Sequence, residues 1–137
     1  MGTSRHVRRR AGRRGEAGFS SLEAVIVLPV VVVLSMLIVQ TVMLWHARNV
    51  AEAAARDGLR VARGYQATGP QGQAAAVQYL DTVAGPMLTA RSATVRRGPQ
   101  TVVVSVHATV MSVVPFGSFH VDEQATGPVE SFQRGHR

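Results

Sequence analysis

The main pattern in the chain is one long apolar stretch near its N-terminus. Residues 24–44 read AVIVLPVVVVLSMLIVQTVML, which is 21 residues without a charged side chain. A helix rises about 1.5 Å per residue and so crosses a hydrocarbon core that is roughly 30 Å thick. A small domain has too little protein to surround such a stretch on all sides. The pattern therefore predicts a transmembrane helix and argues against a buried core helix.

Small side chains follow the span at helical spacing, which predicts that the helix continues outside the membrane to about residue 66. Steps of three and four residues join Ala47, Ala51, Ala54, Gly58 and Val61. Such a stripe lets another element approach closely. Two interpretations stay open: the stripe packs on the protein's own sheet or second helix, or it packs on another subunit of an assembly.

The second half of the chain changes to an alternating pattern. Residues 71–84 fit a short helix, and from Thr101 to Val114 the even positions are mostly apolar. Alternation of this kind predicts a strand with one buried face. Similar short patterns before Gly98 and after Pro115 predict two more strands. The predicted fold class is α+β, with a long N-terminal helix that is transmembrane in its first half, a short second helix and a small antiparallel sheet of about three strands.

Turn signals and charge divide the chain into four predicted parts. Gly-Pro dipeptides at 69–70, 85–86, 98–99 and 127–128 each predict a turn or a break. The parts are a basic cytoplasmic leader over 1–18, a transmembrane helix with its exported continuation over 19–66, a small exported α+β domain over 67–133 and a tail over 134–137.

The basic charge of the chain is concentrated in the leader. The formal net charge is +7, but six of the 15 arginines lie in the first 14 positions, and the chain after residue 18 carries nine basic and seven acidic residues. A nucleic-acid module would carry its charge on the folded domain among stacking aromatic side chains. This distribution excludes nucleic acid as an expected partner.

The leader also predicts the orientation of the span. Six arginines precede it, whereas the three in the next 16 residues are mixed with Glu52 and Asp57. The positive-inside rule places the N-terminus in the cytoplasm and the C-terminal domain outside, in a single-pass protein of the cytoplasmic membrane. The stretch is too long for the apolar region of an ordinary cleaved signal peptide, and no convincing A-x-A site follows it.

The junction between the leader and the span contains the main candidate functional residues. It reads Ala17-Gly18-Phe19-Ser20-Ser21-Leu22-Glu23. An acidic residue at the start of a membrane segment is costly, which makes Glu23 a functional candidate. The same residues fit a capping box, in which Ser20 caps the helix and Glu23 bonds back to its amide. The two interpretations of Glu23 are compatible.

The junction resembles the class III signal of type IV pilins and pseudopilins: a short basic leader ending in Gly18, then Phe19, and an acidic residue at the fifth mature position. The resemblance implies that a prepilin peptidase on the cytoplasmic side cuts between Gly18 and Phe19. It also implies that Glu23 neutralises the new amino terminus of an adjoining subunit and so sets the assembly register. Burying such a pair costs desolvation but favours one axial arrangement.

A narrower resemblance comes from Glu23-Ala24, Pro29 and the segment Ala53-Ala54-Ala55-Arg56-Asp57-Gly58-Leu59-Arg60-Val61-Ala62. These residues are similar to the TadE family, the minor pseudopilins of tight-adherence (Flp-type) pilus assembly systems, and the arginine-rich, lysine-free chain is similar to actinobacterial members. The resemblance implies a structural component of a surface filament or a related secretion apparatus, with other pilin-like subunits and the lipid bilayer as its partners. In the family an aromatic residue often follows the acidic one, whereas Ala24 stands here.

Enzymatic chemistry is not expected from this sequence. The five histidines have no metal-ligand spacing, there is no cysteine, and neither a nucleophile elbow nor a glycine-rich phosphate loop is present. We therefore expect no catalytic, cofactor-binding or metal-binding residues and no small-molecule substrate. A second function stays open, in which the chain is an uncleaved signal-anchored membrane protein whose exported domain binds an envelope partner.

Overall fold

The computed structural model describes the backbone of residues 14–130 and the side chains of residues 21–130. Its architecture is α+β, which confirms the predicted fold class. The elements in chain order are α1 (Arg14–Ala62), α2 (Gly69–Val83), a 3-10 turn (Gly85–Met87), β1 (Leu88–Arg97), β2 (Thr101–Val110) and β3 (Phe119–Pro128). Residues 1–13 of the predicted leader and the predicted tail at 134–137 lie outside the described residues. The predicted boundaries between the four parts stay predictions.

Helix α1 belongs to two compact units, one ending at Ser35 and the other beginning at Met36. In the first unit every side chain from Ser21 to Ser35 is exposed. The second unit contains the rest of α1, helix α2 and the sheet.

The three strands form an antiparallel sheet in the order β1-β2-β3. Val104 of the central strand pairs with Val95 on one side and with Ala125 on the other. Because successive side chains of a strand point to opposite faces, the even positions of β2 share one face. These five residues are buried: Val102, Val104, Val106, Ala108 and Val110. The alternation in the sequence therefore predicted the packed face correctly.

The packed face of the sheet is covered by the two helices. A Cβ atom added to Gly58 of α1 would meet Cγ1 of Val104 in β2 at 3.3 Å, and one added to Gly69 of α2 would meet Val95 of β1 at 3.8 Å. Buried alanine, valine and leucine side chains from α1, α2 and all three strands form one core. Small helix residues and β-branched strand residues let the layers approach closely, so this core needs no large aromatic side chain.

Helix α2 begins two residues earlier than the sequence predicts. Gly69 and Pro70 form its first turn, and the amide nitrogen of Thr68 donates to Oε1 of Gln71 at 2.9 Å. Proline suits the first turn of a helix because its missing N–H would have no partner there. The first Gly-Pro dipeptide therefore starts a helix as well as ending the preceding segment.

The fourth Gly-Pro dipeptide forms no turn and instead ends β3, so the predicted break falls at Pro128. Gly127 pairs with Val102 and Pro128 with Thr101 at the end of β3. Proline is tolerated there because β3 is an edge strand and Pro128 is its last residue. Gly127 also faces α1, where an added Cβ would lie 3.2 Å from Cδ2 of Leu59. The absence of a side chain at Gly127 therefore lets α1 pack closely against the sheet.

Two predicted element ends also differ from the structure. Helix α1 ends at Ala62, whereas the sequence predicted about residue 66. Strand β2 ends at Val110, whereas the apolar pattern continued to Val114. The apolar residues after Val110 form a loop instead.

Candidate membrane span and subunit-contact surface

The predicted cleavage junction lies inside α1. The helix begins at Arg14 and already includes the backbone of Gly18 and Phe19. Arginine, glutamate and alanine favour helix, and Arg14, Glu16 and Ala17 all precede the predicted cleavage site. The interpretation of Ser20 as a helix cap is therefore wrong for the intact chain, because a cap stands at the start of a helix with a non-helical backbone.

Glu23 lies on α1 one residue before the apolar stretch, and its side chain is exposed. None of the ion pairs formed among residues 21–130 involves it. An exposed carboxylate beside a run of aliphatic side chains presents a charge at the edge of the apolar surface.

The apolar stretch is exposed over most of its length. Helix α1 is long and apolar enough to cross a membrane, and its most apolar 18-residue window has a mean hydropathy of 2.9 with no buried residue. Most large side chains in it are about half to two-thirds exposed, from Val39 at 47% to Val25 at 68%, whereas Met36 is half-buried. Aliphatic side chains exposed all round a helix are typical of a segment covered by lipid or by other helices.

The two hydroxyl groups of the stretch find partners within the helix. Oγ of Ser35 donates to the carbonyl oxygen of Val31, and Oγ1 of Thr41 to that of Leu37, each at 2.8 Å. Such bonds to the carbonyl four residues earlier satisfy a hydroxyl without water. Neither residue therefore opposes the placement of this helix in lipid.

Gln40 is the one buried polar residue among the described side chains. It is 4% exposed, and its Oε1 accepts a hydrogen bond from the backbone nitrogen of Val113 at 2.8 Å. The observed partner is the loop between β2 and β3, 73 positions away in the chain. Apolar periodicity gives no signal for such a contact.

Four residues of the predicted small-residue stripe are buried in the protein's own core: Ala47, Ala51, Ala54 and Gly58. Val61 is only half-buried, and the buried face continues through Leu59 and Ala62 instead. Val50 and Ala55 also lie on this face. Most of the buried residues of α1 come in adjacent pairs that repeat every four positions, so the buried face is wider than the predicted stripe. The predicted stripe includes only half of these buried residues.

The closest approach in the stripe joins α1 to α2. A Cβ atom added to Gly58 would lie 2.8 Å from the carbonyl oxygen of Gly72 and 2.9 Å from Cβ of Ala76. A Cβ atom added to Gly72 would lie 2.5 Å from Cβ of Ala62. The two glycines face each other, so the helices come within a distance that no side chain at either position allows.

Charged residues outside the core form pairs on the surface. Glu52 pairs with Arg56 at 2.5 Å and Asp57 with Arg60 at 2.9 Å along the polar side of α1. His107 and Asp122 lie opposite each other on the open face of the sheet and share a hydrogen bond. Among residues 21–130, no group of three or more His, Cys, Asp or Glu side chains is placed to hold a metal ion.

Comparison with known proteins supports the identification made from the junction and the span. Residues 18–60 match the family model described as TadE-like protein. No curated protein and no solved structure matches the chain. The match runs from Gly18 along α1 to Arg60 and does not include α2 or the sheet. The TadE-like resemblance is thus confirmed over the segment that contains the junction, the apolar stretch and most of the stripe.

The match over residues 18–60 and the one apolar helix among the described residues fit a pilus-associated membrane protein. The TadE-like family is a structural pilus component. Membrane lipid and pilin-like subunits fit this assignment as partners.

Proposed function

We propose that this protein is a minor pilin-like subunit of a tight-adherence pilus or a related secretion apparatus. The observation that supports this most is the extent of the family match. It begins at Gly18 and ends at Arg60, so it contains the junction, Glu23 and the exposed apolar surface of α1. In this proposal residues 19–66 anchor the subunit, and residues 67–133 form its exported domain.

The proposed orientation follows from the arginines of the leader. The N-terminus lies in the cytoplasm, and the folded domain lies outside the cytoplasmic membrane. Removal of residues 1–18 would take away six arginines and leave a helix whose first charged side chain is Glu23. Cleavage would thus release the helix from its cytoplasmic anchor and permit its incorporation into a filament.

The proposed register contact is between Glu23 and the amino group of Phe19 in an adjoining subunit. Both charges would lie in an environment of low polarity, where an unpaired carboxylate is costly. Shifting one subunit along its neighbour by a single turn would separate the two charges by about 5 Å and leave both unpaired. The pair therefore selects one arrangement of adjoining helices.

The small-residue stripe has a different proposed role from the apolar stretch. Ala47, Ala51, Ala54 and Gly58 are buried in the core that α1 forms with α2 and the sheet, and Val61 is half-buried. We assign this stripe to packing within the subunit. The exposed aliphatic side chains of residues 24–39 then remain available to contact lipid first and other subunits after assembly.

Processing is tested by mass spectrometry of the protein extracted from membranes of cells with an active assembly system. The expected mature N-terminus is Phe19, and a Gly18→Val variant should keep its leader. Gly15→Val is the matched control, since it places the same side chain in the same helical segment three residues away and should still be cleaved. An intact leader in the unaltered protein would refute the processing step.

The register role is tested by Glu23→Gln, which keeps the size and removes the charge. We expect membrane insertion to be retained and incorporation into pili or cross-linked assemblies to be lost. Glu52→Gln is the control because it changes an exposed carboxylate on the same helix within the domain. If the Glu23 variant assembles as the unaltered protein does, the proposed register role of Glu23 is refuted.

The uncleaved signal-anchored protein remains the second candidate. The observation that favours it is the helical backbone across Gly18 and Phe19, which a peptidase must open before it can cut. An intact leader together with a domain that captures an envelope protein would support it. Catalysis has no part in either proposal, and neither requires a nucleic acid, a cofactor or a small-molecule substrate.

A further inference from the structure

The loop between β2 and β3 presents a group of exposed apolar side chains. Residues 111–118 read MSVVPFGS and contain no charge. Phe116 is 75% exposed, Met111 48% and Val113 39%. Single exposed apolar residues are ordinary, but a group of them at one loop tip indicates contact with an apolar phase or a partner.

Hydrogen bonds hold this loop in a defined place. The backbone nitrogen of Met111 donates to the carbonyl oxygen of Met87 at 2.9 Å. Oγ of Ser112 donates to the carbonyl oxygen of Val114 at 2.8 Å, and the backbone nitrogen of Val113 donates to Oε1 of Gln40. The loop is therefore attached to the end of the sheet and to α1 at the same time.

The contact with Gln40 fixes the level of the loop along α1. Gln40 precedes Leu44, the last residue of the apolar stretch, by four positions, or about 6 Å along the helix axis. Side chains of a helix lean toward its N-terminus, so the bond to Val113 lies at the level of Gln40 or nearer the middle of the apolar stretch. Met43 and Leu44 themselves pack against the domain core.

The aromatic residue that follows the apolar stretch marks the expected membrane surface. Trp45 is 66% exposed, and tryptophan favours the level of the lipid headgroups. The contact between Gln40 and Val113 lies on the apolar side of this residue. A loop attached there, uncharged and with an exposed phenyl ring, lies where the headgroups meet the acyl chains.

We propose that the β2–β3 loop inserts into the membrane leaflet on the domain's side, with Phe116 at the boundary between headgroups and acyl chains. The subunit then contacts the membrane at two places, α1 and the loop, which limits rotation of the domain about the helix. This inference rests on α1 spanning the membrane. It does not depend on cleavage, on the register contact or on the orientation.

Lipid is favoured over a protein partner by the shape and position of the loop. Its apolar side chains are exposed, and the contact that holds it lies within the apolar stretch of α1. Before assembly, lipid surrounds α1 at this level, so a second protein chain would reach the loop only within the assembly. A partner of this kind is an outcome that the test below distinguishes.

The depth of the loop can be measured with single fluorescent labels on the full chain, which has no native cysteine. Phe116→Cys carries the label at the tip. Leu34→Cys in the apolar stretch is the reference for lipid, and Gln100→Cys in the exposed turn at the opposite end of β2 is the reference for water. Each protein is placed in phosphatidylethanolamine–phosphatidylglycerol vesicles with acyl-chain spin labels as lipid quenchers and iodide as the aqueous quencher.

We expect the label at position 116 to be quenched by the spin-labelled lipid, as at position 34, and to lose most of the iodide quenching seen at position 100. Iodide quenching equal to that at position 100, with lipid quenching intact at position 34, would overturn the insertion alone. Shielding from both quenchers would overturn it in favour of a second copy of the chain. Absence of lipid quenching at position 34 would overturn the membrane span and the inference with it.

Discussion

The two segments of α1 meet different surroundings and use different side chains to do so. From Ser21 to Val39 the helix is built mainly of valine, leucine and isoleucine, and no residue there is buried. From Gln40 to Ala62 the side facing the domain is mostly alanine with one glycine, and it is almost completely buried. Bulky side chains suit a helix whose covering comes from lipid or other chains, whereas small ones suit close contact with the protein's own elements. Side-chain size thus separates the two roles within one helix.

The largest effect is expected from placing charge in the first segment. In Val31→Arg/Leu34→Arg each arginine near the middle of the span should cost about 2.5–3.5 kcal/mol of insertion free energy. The fraction of protein that resists alkaline extraction from membranes should fall sharply. The control Val31→Ala/Leu34→Ala keeps the positions apolar and should remain integrated. Full integration of the arginine variant would argue against lipid around this segment.

A smaller effect is expected from adding one methyl group in the second segment. Gly58→Ala should lower the free energy of unfolding of the domain by about 1–3 kcal/mol, because its Cβ would meet the backbone of Gly72 at 2.8 Å. Denaturant unfolding in detergent measures this. Gly64→Ala is the control, since its Cβ would come no closer than 3.4 Å to the carbonyl oxygen of Val61. Equal stability of the two variants would mean that the helices are not in close contact.

At the boundary between the segments, Gln40→Leu removes the acceptor of the Val113 amide. A lost hydrogen bond of this kind costs about 0.5–1.5 kcal/mol, so we expect faster hydrogen exchange at Val113 with little change in strand β2. Thr41→Val alters the neighbouring exposed side chain and serves as the control. Unchanged protection of Val113 in Gln40→Leu would show that another contact holds the loop.

The smallest effect is expected on the polar side of the second segment. Arg56 and Glu52 pair at 2.5 Å with side chains that are 72% and 46% exposed. A double-mutant cycle with Arg56→Ala and Glu52→Ala should give a coupling of about 0.3–0.5 kcal/mol that disappears in high salt. A coupling several times larger would mean that another subunit shields this side of α1 from solvent.

Periodicity predicted most of the fold because it reports which face of an element is covered. The alternation in β2 identified Val102, Val104 and Val106 as the packed face, and the apolar stretch identified the exposed part of α1. The same reasoning failed where geometry depends on distant residues. It did not show that Gly127 continues β3 beneath Leu59, because that position depends on contact with α1.

The residues of the candidate site were chosen from the sequence by their chemistry, whereas their contacts could not be predicted. Gly18, Phe19 and Glu23 were identified by their order along the chain, and the family match contains all three. The partner of Gln40 was not predictable, since Val113 lies 73 positions away and its amide contributes no side-chain signal. Likewise, the apolar residues after Val110 suggested a longer strand, because apolar character alone does not separate a buried strand from a loop in contact with lipid.

The most direct test of α1 as a membrane span with its domain outside uses two single-cysteine variants of the full chain. Leu34 and the Arg56 side chain are 54% and 72% exposed within the protein itself, so only the membrane should separate their reactivity. In intact cells a membrane-impermeant maleimide should label Arg56→Cys and leave Leu34→Cys unlabelled. Equal labelling of both positions, or labelling of Arg56→Cys only after lysis, would contradict this arrangement.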